Sequence, residues 1–270
     1  MSNLQKIIKY LAIAFAIFLT FNIISGIMYG VLSIASIFDD DKDSITEKLN
    51  NLEISDNTLL LDVDISSSNI TIKSGENFKA ETNNKYIKTK QDKNKLYIEE
   101  KKHNFFHNDE SELIIYIPND FVFDGVSIDT GAGKVNIESL STKQLYLNLG
   151  AGKVDINNLN VLENIKIDGG AGEININAIS INNLNLDMGV GKLSLTSKLT
   201  GNNKIDSGIG KMDLSLIGTL EDYKISLDKG IGEARINGKN MKDDNIYGIG
   251  NSKLDIDGGI GSIDIDLIEE

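Results

Sequence analysis

The sequence predicts an all-β chain: a parallel β-solenoid of about eight coils, roughly 19–20 residues each, behind one N-terminal transmembrane helix. Three observations predict it. A Gly-x-Gly tripeptide returns seven times at near-constant spacing. Between returns, apolar and polar residues alternate with period two. Residues 10–38 form an apolar run without a single charge.

The apolar run comes first in the chain. It exceeds the roughly 20 residues that span a bilayer. Lys6 and Lys9 precede it, and Asp39-Asp40-Asp41-Lys42-Asp43 follows. The positive-inside rule then puts the N-terminus in the cytoplasm and the rest outside. The run is too long for the apolar stretch of a cleaved leader, and no clear small-x-small site precedes the acidic cluster. We therefore expect residues 1–38 to be a cytoplasmic tip and membrane helix, and 39–57 a juxtamembrane linker. Ser44 and Glu47 have the spacing to cap a short helix in that linker.

Residues 58–120 read as an N-terminal β region that caps the solenoid. Leu61, Val63, Ile65, Ser67, Ile70 and Ile72 match the inward positions of the later repeats, with Ser66-Ser67-Ser68 at the corner. Short strand-like stretches follow at 78–82, 86–88, 95–99 and 113–117, and Pro118 ends the last.

Residues 121–270 are the repeat array. The corner glycines are Gly131 and Gly133, Gly150 and Gly152, Gly170 and Gly172, Gly189 and Gly191, Gly208 and Gly210, Gly230 and Gly232, and Gly259 and Gly261. Their steps are 19, 20, 19, 19, 22 and 29 residues, and the last holds an insertion at 238–251. A fixed period near 20 is the mark of stacked coils. In the second unit Leu145, Leu147, Leu149 and Ala151 share one parity, and Val154 and Ile156 take the other. Such a slip needs a bulge or corner, which glycine permits through positive φ. Leu140, Leu159, Ile179 and Leu199 are expected to plug the looser turn between coils. The middle corner residue runs Ala, Ala, Ala, Val, Ile, Ile, Ile, which suggests a core widening toward the C-terminus. A chain of hairpins would not keep the period so strictly, and the asparagine ladder of leucine-rich repeats is missing.

Two residues before each corner stands Asp129, Asn148, Asp168, Asp187, Asp206, Asp228 or Asp257, with outward parity. Stacked coils would turn these into a column of like charges about 5 Å apart, repelling by roughly 1 kcal/mol per pair even in water. Capping of the corner amides would offset this, as would Lys134, Lys153, Lys192 and Lys211 five residues on. A cation held between successive members Asp129, Asp168, Asp187, Asp206, Asp228 and Asp257 is the functional alternative, although one column offers calcium few oxygens without water. Gly169-Gly170-Ala171-Gly172-Glu173-Ile174 carries the glycines of the calcium nonapeptide but has Ile where its Asp belongs.

Composition excludes several classes. Net charge is −13, all of it beyond residue 38, and only Arg235 among 27 basic residues is arginine, which argues against nucleic acid as a partner. There is no cysteine for disulfides, thiol chemistry, Cys-ligated zinc or a lipid anchor. The two histidines, His103 and His107, sit in a polar stretch typical of solvated side chains. A Gly-x-Gly repeated seven times is architecture rather than a phosphate loop. We expect no enzyme activity, no catalytic residues and no cofactor.

Leu113-Ile114-Ile115-Tyr116-Ile117-Pro118, followed by Val126-Ser127-Ile128-Asp129-Thr130-Gly131-Ala132-Gly133-Lys134-Val135-Asn136-Ile137, resembles the "putative adhesin" family of bacterial β-strand-repeat proteins, a domain of unknown function. So does Leu61-Asp62-Val63-Asp64-Ile65-Ser66-Ser67-Ser68-Asn69-Ile70-Thr71-Ile72. The resemblance covers roughly residues 57–270. It implies a β-solenoid at the cell envelope of low-GC Gram-positive bacteria, often behind one membrane helix, with no established catalytic residues. The expectation is a single-pass membrane protein that binds, adheres or scaffolds at the envelope. Its partners would be the membrane, through residues 10–38, and an envelope polymer or a membrane protein. The alternative is an accessory sensor of envelope stress, with Thr20, Asn22 and Ser25 as helix–helix contacts.

Overall fold

A computed structural model describes residues 45–55, 57–101 and 111–269. The expected membrane helix at 10–38 and both histidines lie outside these residues. Residues 45–270 form one compact unit.

All regular structure among the described residues is β. The strands are β1 (Ile45–Leu52), β2 (Leu60–Ser67), β3 (Asn69–Gly75), β4 (Lys79–Asn84), β5 (Ile87–Asp92), β6 (Lys95–Glu100), β7 (Glu112–Pro118), β8 (Val122–Ile137), β9 (Leu140–Asn182), β10 (Leu184–Thr200), β11 (Asn202–Ile217), β12 (Tyr223–Asp228), β13 (Ile231–Ile236), β14 (Lys239–Asn240), β15 (Asn245–Tyr247), β16 (Ser252–Asp257) and β17 (Ile260–Ile268). Residues 45–52 are thus strand, antiparallel to β4, rather than the short helix expected there.

The long strands pair in parallel, like position on like position. Val126 lies beside Leu145, Leu186 beside Ile205, and Gly191 beside Gly210. One buried column climbs through Ile98, Val63, Ile128, Leu147, Ile167, Leu186, Ile205, Ile256 and Leu227, each at most 1% exposed. Nine levels at about 4.8 Å make a stack roughly 40 Å long. Burying one such side chain contributes about 1.5–3 kcal/mol, so the repeated inward columns supply the main stabilisation.

The stack order departs from chain order at both ends. β11 pairs with β16 and β17, not with β12 and β13. β12 and β13 pair on the far side of β16 and β17. The last coil of the chain is therefore inserted inside the stack. At the other end β2 and β3 sit between the coil made by β6 and β7 and the coil made by β8. Stretches 95–99 and 113–117 are thus a coil in register. The outermost coils are covered by antiparallel strands: β4 on β7, β5 on β6, β14 on β13 and β15 on β12. Such pairing satisfies edges that would otherwise recruit another sheet.

The coil at β2 and β3 has no glycine corner. Its Ser67 aligns with Ala132. Buried polar groups replace the glycines: the Ser66 amide donates to Glu100 Oε2 at 2.9 Å, and Asn84 Nδ2 donates to Glu100 Oε1 and Ser111 Oγ, both at 3.1 Å.

Leu140, Leu159 and Leu199 are buried as expected of turn plugs. Ile179 is not; it is 72% exposed, while Ala178 and Ile181 are buried. Thr196 lies beside Asn177 and Lys198 beside Ser180, so Ala178 and Ile179 together oppose the single residue Ser197. The surplus residue leaves as a bulge and carries the Ile179 side chain out.

Candidate functional site

The repeated corner and the columns flanking it form an exposed surface with the period of the coils. Its geometry starts with the glycines. A Cβ on Gly172 would lie 1.8 Å from the Gly152 carbonyl oxygen, and φ there is +144°. Gly150, a first corner glycine, obeys a different constraint: its φ is not positive, yet a Cβ would lie 2.3 Å from the Gly131 oxygen. Close approach of the neighbouring coil, as well as positive φ, fixes the tripeptide.

The middle residue of each corner points outward. Val190 is 51% exposed, Ile209 40%, Ile260 38% and Ile231 49%. They do not widen the core. The bulge turns the backbone over the glycine, so the apolar parity of the preceding strand does not continue through the corner. In stack order the corner reads Ala132, Ala151, Ala171, Val190, Ile209, Ile260, Ile231.

The acidic column stacks as expected: Asp187 lies beside Asp168, Asp206 beside Asp187, Asp257 beside Asp206, and Asp228 beside Asp257. Asp129 lies beside Asn148. The middle of the column, from Asn148 through Asp168, Asp187 and Asp206 to Asp257, borders an open groove of about 750 Å³ that runs along the first corner glycines. Its repulsion is offset locally and unevenly. Asn148 Nδ2 donates to Asp129 Oδ2 at 3.0 Å. The Tyr146 hydroxyl donates to Asp168 Oδ2 at 3.1 Å, and Lys166 pairs with the same oxygen at 2.7 Å. Lys204 pairs with Asp206. Only Asp228 caps its own corner, accepting the Gly230 amide at 3.0 Å.

Asp187 stands between two carboxylates, Asp168 and Asp206. Burial, a hydrogen bond to Asp206 and the charges of Asp206 and Asp168 push its carboxyl above the usual range, against Lys204. Asp206 Oδ1 is buried without a hydrogen-bond partner. Among the described residues no group of three or more His, Cys, Asp and Glu side chains is placed to hold a metal ion.

The lysines beyond the corner do not pair with the acidic column. Lys134 and Lys153 meet Asp155 at 3.2 and 3.3 Å, and Lys192 and Lys211 meet Asp213 at 3.6 and 2.7 Å. The corner stands between the lysines and the first column, whereas a residue two further along the same strand shares their face. The lysines of these pairs are about half exposed, where solvent screening leaves an ion pair little stabilising effect. Burial raises the Asp155 carboxyl, but hydrogen bonds from Asn175, Lys134 and Lys153 outweigh it and hold the group below the usual carboxylate range.

Fold and surface together define a parallel β-solenoid that presents side-chain ladders at fixed spacing. The chain belongs to the Toastrack DUF4097 family, a domain of unknown function, whose model matches residues 59–248. No curated protein matches it. Six solved chains are similar, among them these two. One is described as a putative cell adhesion protein from Clostridium sporogenes, at 16% identity and TM-score 0.39, covering 82% of this chain and 99% of the other. The second is described as a putative adhesin from Bacteroides fragilis, at 14% identity and TM-score 0.41, covering 83% and 98%.

Proposed function

We propose that this chain is a non-catalytic binding, adhesion or scaffolding module held at the bacterial cell envelope, of the Gram-positive type, by residues 10–38. The observation that carries the reading is the register. Parallel like-on-like pairing repeats one set of exposed side chains at every level, about 4.8 Å apart, which suits a partner that is itself repetitive or extended. The groove beside the acidic column runs along that repeat and is lined by its carboxylates, its first corner glycines and the side chains between them, such as Leu149 and Met188. The uncharged run at 10–38, with Lys6 and Lys9 before it and an acidic cluster after it, supports the tether and the external placement of the β unit.

The test is binding of the full-length chain, in detergent micelles, to isolated bacterial envelopes, with and without a divalent-cation chelator. Saturable binding is expected. Loss of binding on chelation would assign the acidic column to cation-bridged contact, and retention would assign contact to the other ladders. Absence of saturable binding contradicts the reading.

A further inference from the structure

We infer that the corner edge is a self-association surface, on which two copies of this chain pack Gly-x-Gly edge against Gly-x-Gly edge about a two-fold axis parallel to the stack. The exposed apolar residues Val190, Ile209, Ile260 and Ile231 are consecutive levels of one ladder, not scattered side chains. Four levels make an apolar ridge about 15–20 Å long. It is flanked on both sides by glycine columns, so nothing but backbone stands beside it and a second ridge can approach closely. Contiguous apolar surface of this kind marks interaction sites on soluble domains.

Charge selects the occupant and its orientation. The ridge has the acidic column on one side and the lysine-bearing column on the other. A two-fold axis parallel to the stack exchanges those sides, so each copy's acidic column faces its partner's lysine column at the same level. An antiparallel two-fold would face acid with acid. In the parallel arrangement Asp187 opposes the partner's Lys192 and Asp206 opposes the partner's Lys211, beside Val190 and Ile209. The lysine tips would lie over the groove that Asp187 and Asp206 help to line. The levels with glutamate in the lysine column, Glu173 and Glu233, carry no such complement and bracket the favourable stretch. Lys192 and Lys211 are about half exposed, so their in-chain pairing with Asp213 leaves them free to engage.

The area sets the strength. The exposed apolar ridge spans only four levels, so the contact is smaller than that of a permanent interface and the dimer is weak and concentration-dependent. Both copies would present their first coils at the same end.

The chain contains no cysteine, which allows a direct test. Val190→Cys, Ile209→Cys and Ile260→Cys are made singly in the full-length chain and mildly oxidised. A parallel two-fold brings every level over its own copy, so all three should form disulfide-linked dimers. Asn177→Cys, exposed and away from the corner, should not. No dimer at any of the three, or a dimer at one alone as an antiparallel axis would give, overturns the inference. A second measurement uses charge. Asp187→Lys with Asp206→Lys, and Lys192→Glu with Lys211→Glu, should each lose the Ile209→Cys dimer at least tenfold. Mixing the two chains should restore it as a heterodimer. Charge variants that each dimerise as well alone as the parent would also overturn it.

Discussion

Replacing Asp187 with Asn should stabilise the protein at neutral pH and leave it unchanged in acid. Carboxylates on adjacent levels lie about 5 Å apart, where two unit charges repel by about 1 kcal/mol in water and about 3 kcal/mol at an effective dielectric of 20. Asp187 is partly exposed, so the gain lies toward the lower value, about 1–2 kcal/mol. Asn also has hydrogens to donate, as Asn148 already does to Asp129 at 3.0 Å. The sign with pH follows from the raised carboxyl. The folded state holds this proton more tightly than the unfolded chain does. Wild-type stability from this group is therefore fully present below the unfolded pKa and is lost as pH rises through the folded one. The Asn variant has no such loss. Its advantage should be about 1–2 kcal/mol at pH 7, a melting shift of roughly 2–8 °C, and should vanish below about pH 3.9, the ordinary carboxyl value of the unfolded chain. The assay is urea unfolding of both chains at several pH values, at sub-micromolar protein. The acidic groups held low, such as Asp155, are common to both chains and cancel in the difference. A variant no more stable at pH 7, or equally favoured at pH 3.5, refutes the reasoning.

Deleting residues 252–270 should abolish the cooperative thermal transition seen by circular dichroism. It removes the buried Leu254, Ile256, Ile263 and Ile265, roughly 6–12 kcal/mol of burial, and unpairs β11 from its only neighbour on that side. A truncated chain melting within a few degrees of the parent would contradict the inserted coil. Gly172→Ala should cost about 3–5 kcal/mol, because the new methyl meets the Gly152 carbonyl in a strained backbone. Gly238→Ala also has positive φ but open space, and should cost only about 1 kcal/mol. Equal denaturant midpoints for the two would remove close approach as the reason for the corner glycines.

The period, the strand–corner–strand unit and the outward acidic column were legible because each is a local pattern that stacking repeats. The neighbour relations at the ends were not. Every coil carries the same register, so the Gly261 coil fits beside Gly210 as well as beside Gly232, and periodicity states which positions meet without stating which coils do. The structure inserts the last coil because the 238–251 segment folds β14 and β15 antiparallel over β13 and β12, which occupies their outer edge. The corner side chains were misread because Ala, Val and Ile look like core, while the bulge that turns them out leaves no trace except the glycines themselves. The lysine pairing was misread for a related reason. Five residues look near in sequence, but the corner intervenes, and Asp155 and Asp213 lie on the lysines' own face. The raised Asp187 carboxyl needed coordinates: Lys166 and Lys204 stand two residues before Asp168 and Asp206 in the sequence, but the partial burial of Asp187 between those two carboxylates is a matter of packing.

The stack order is the claim on which the ladders, the groove and the corner edge all depend. Its direct test is a pair of double-cysteine chains in the cysteine-free background. Lys211 lies beside Ser262, and Ser262 beside Glu233, in adjacent parallel strands. Lys211→Cys with Ser262→Cys should oxidise to an intramolecular disulfide, since neighbouring strands put the Cα atoms about 4.8 Å apart. Lys211→Cys with Glu233→Cys, two levels apart at about 9.6 Å, should stay reduced. The opposite result, with 211–233 linked and 211–262 free, would place the coils in chain order and contradict the account.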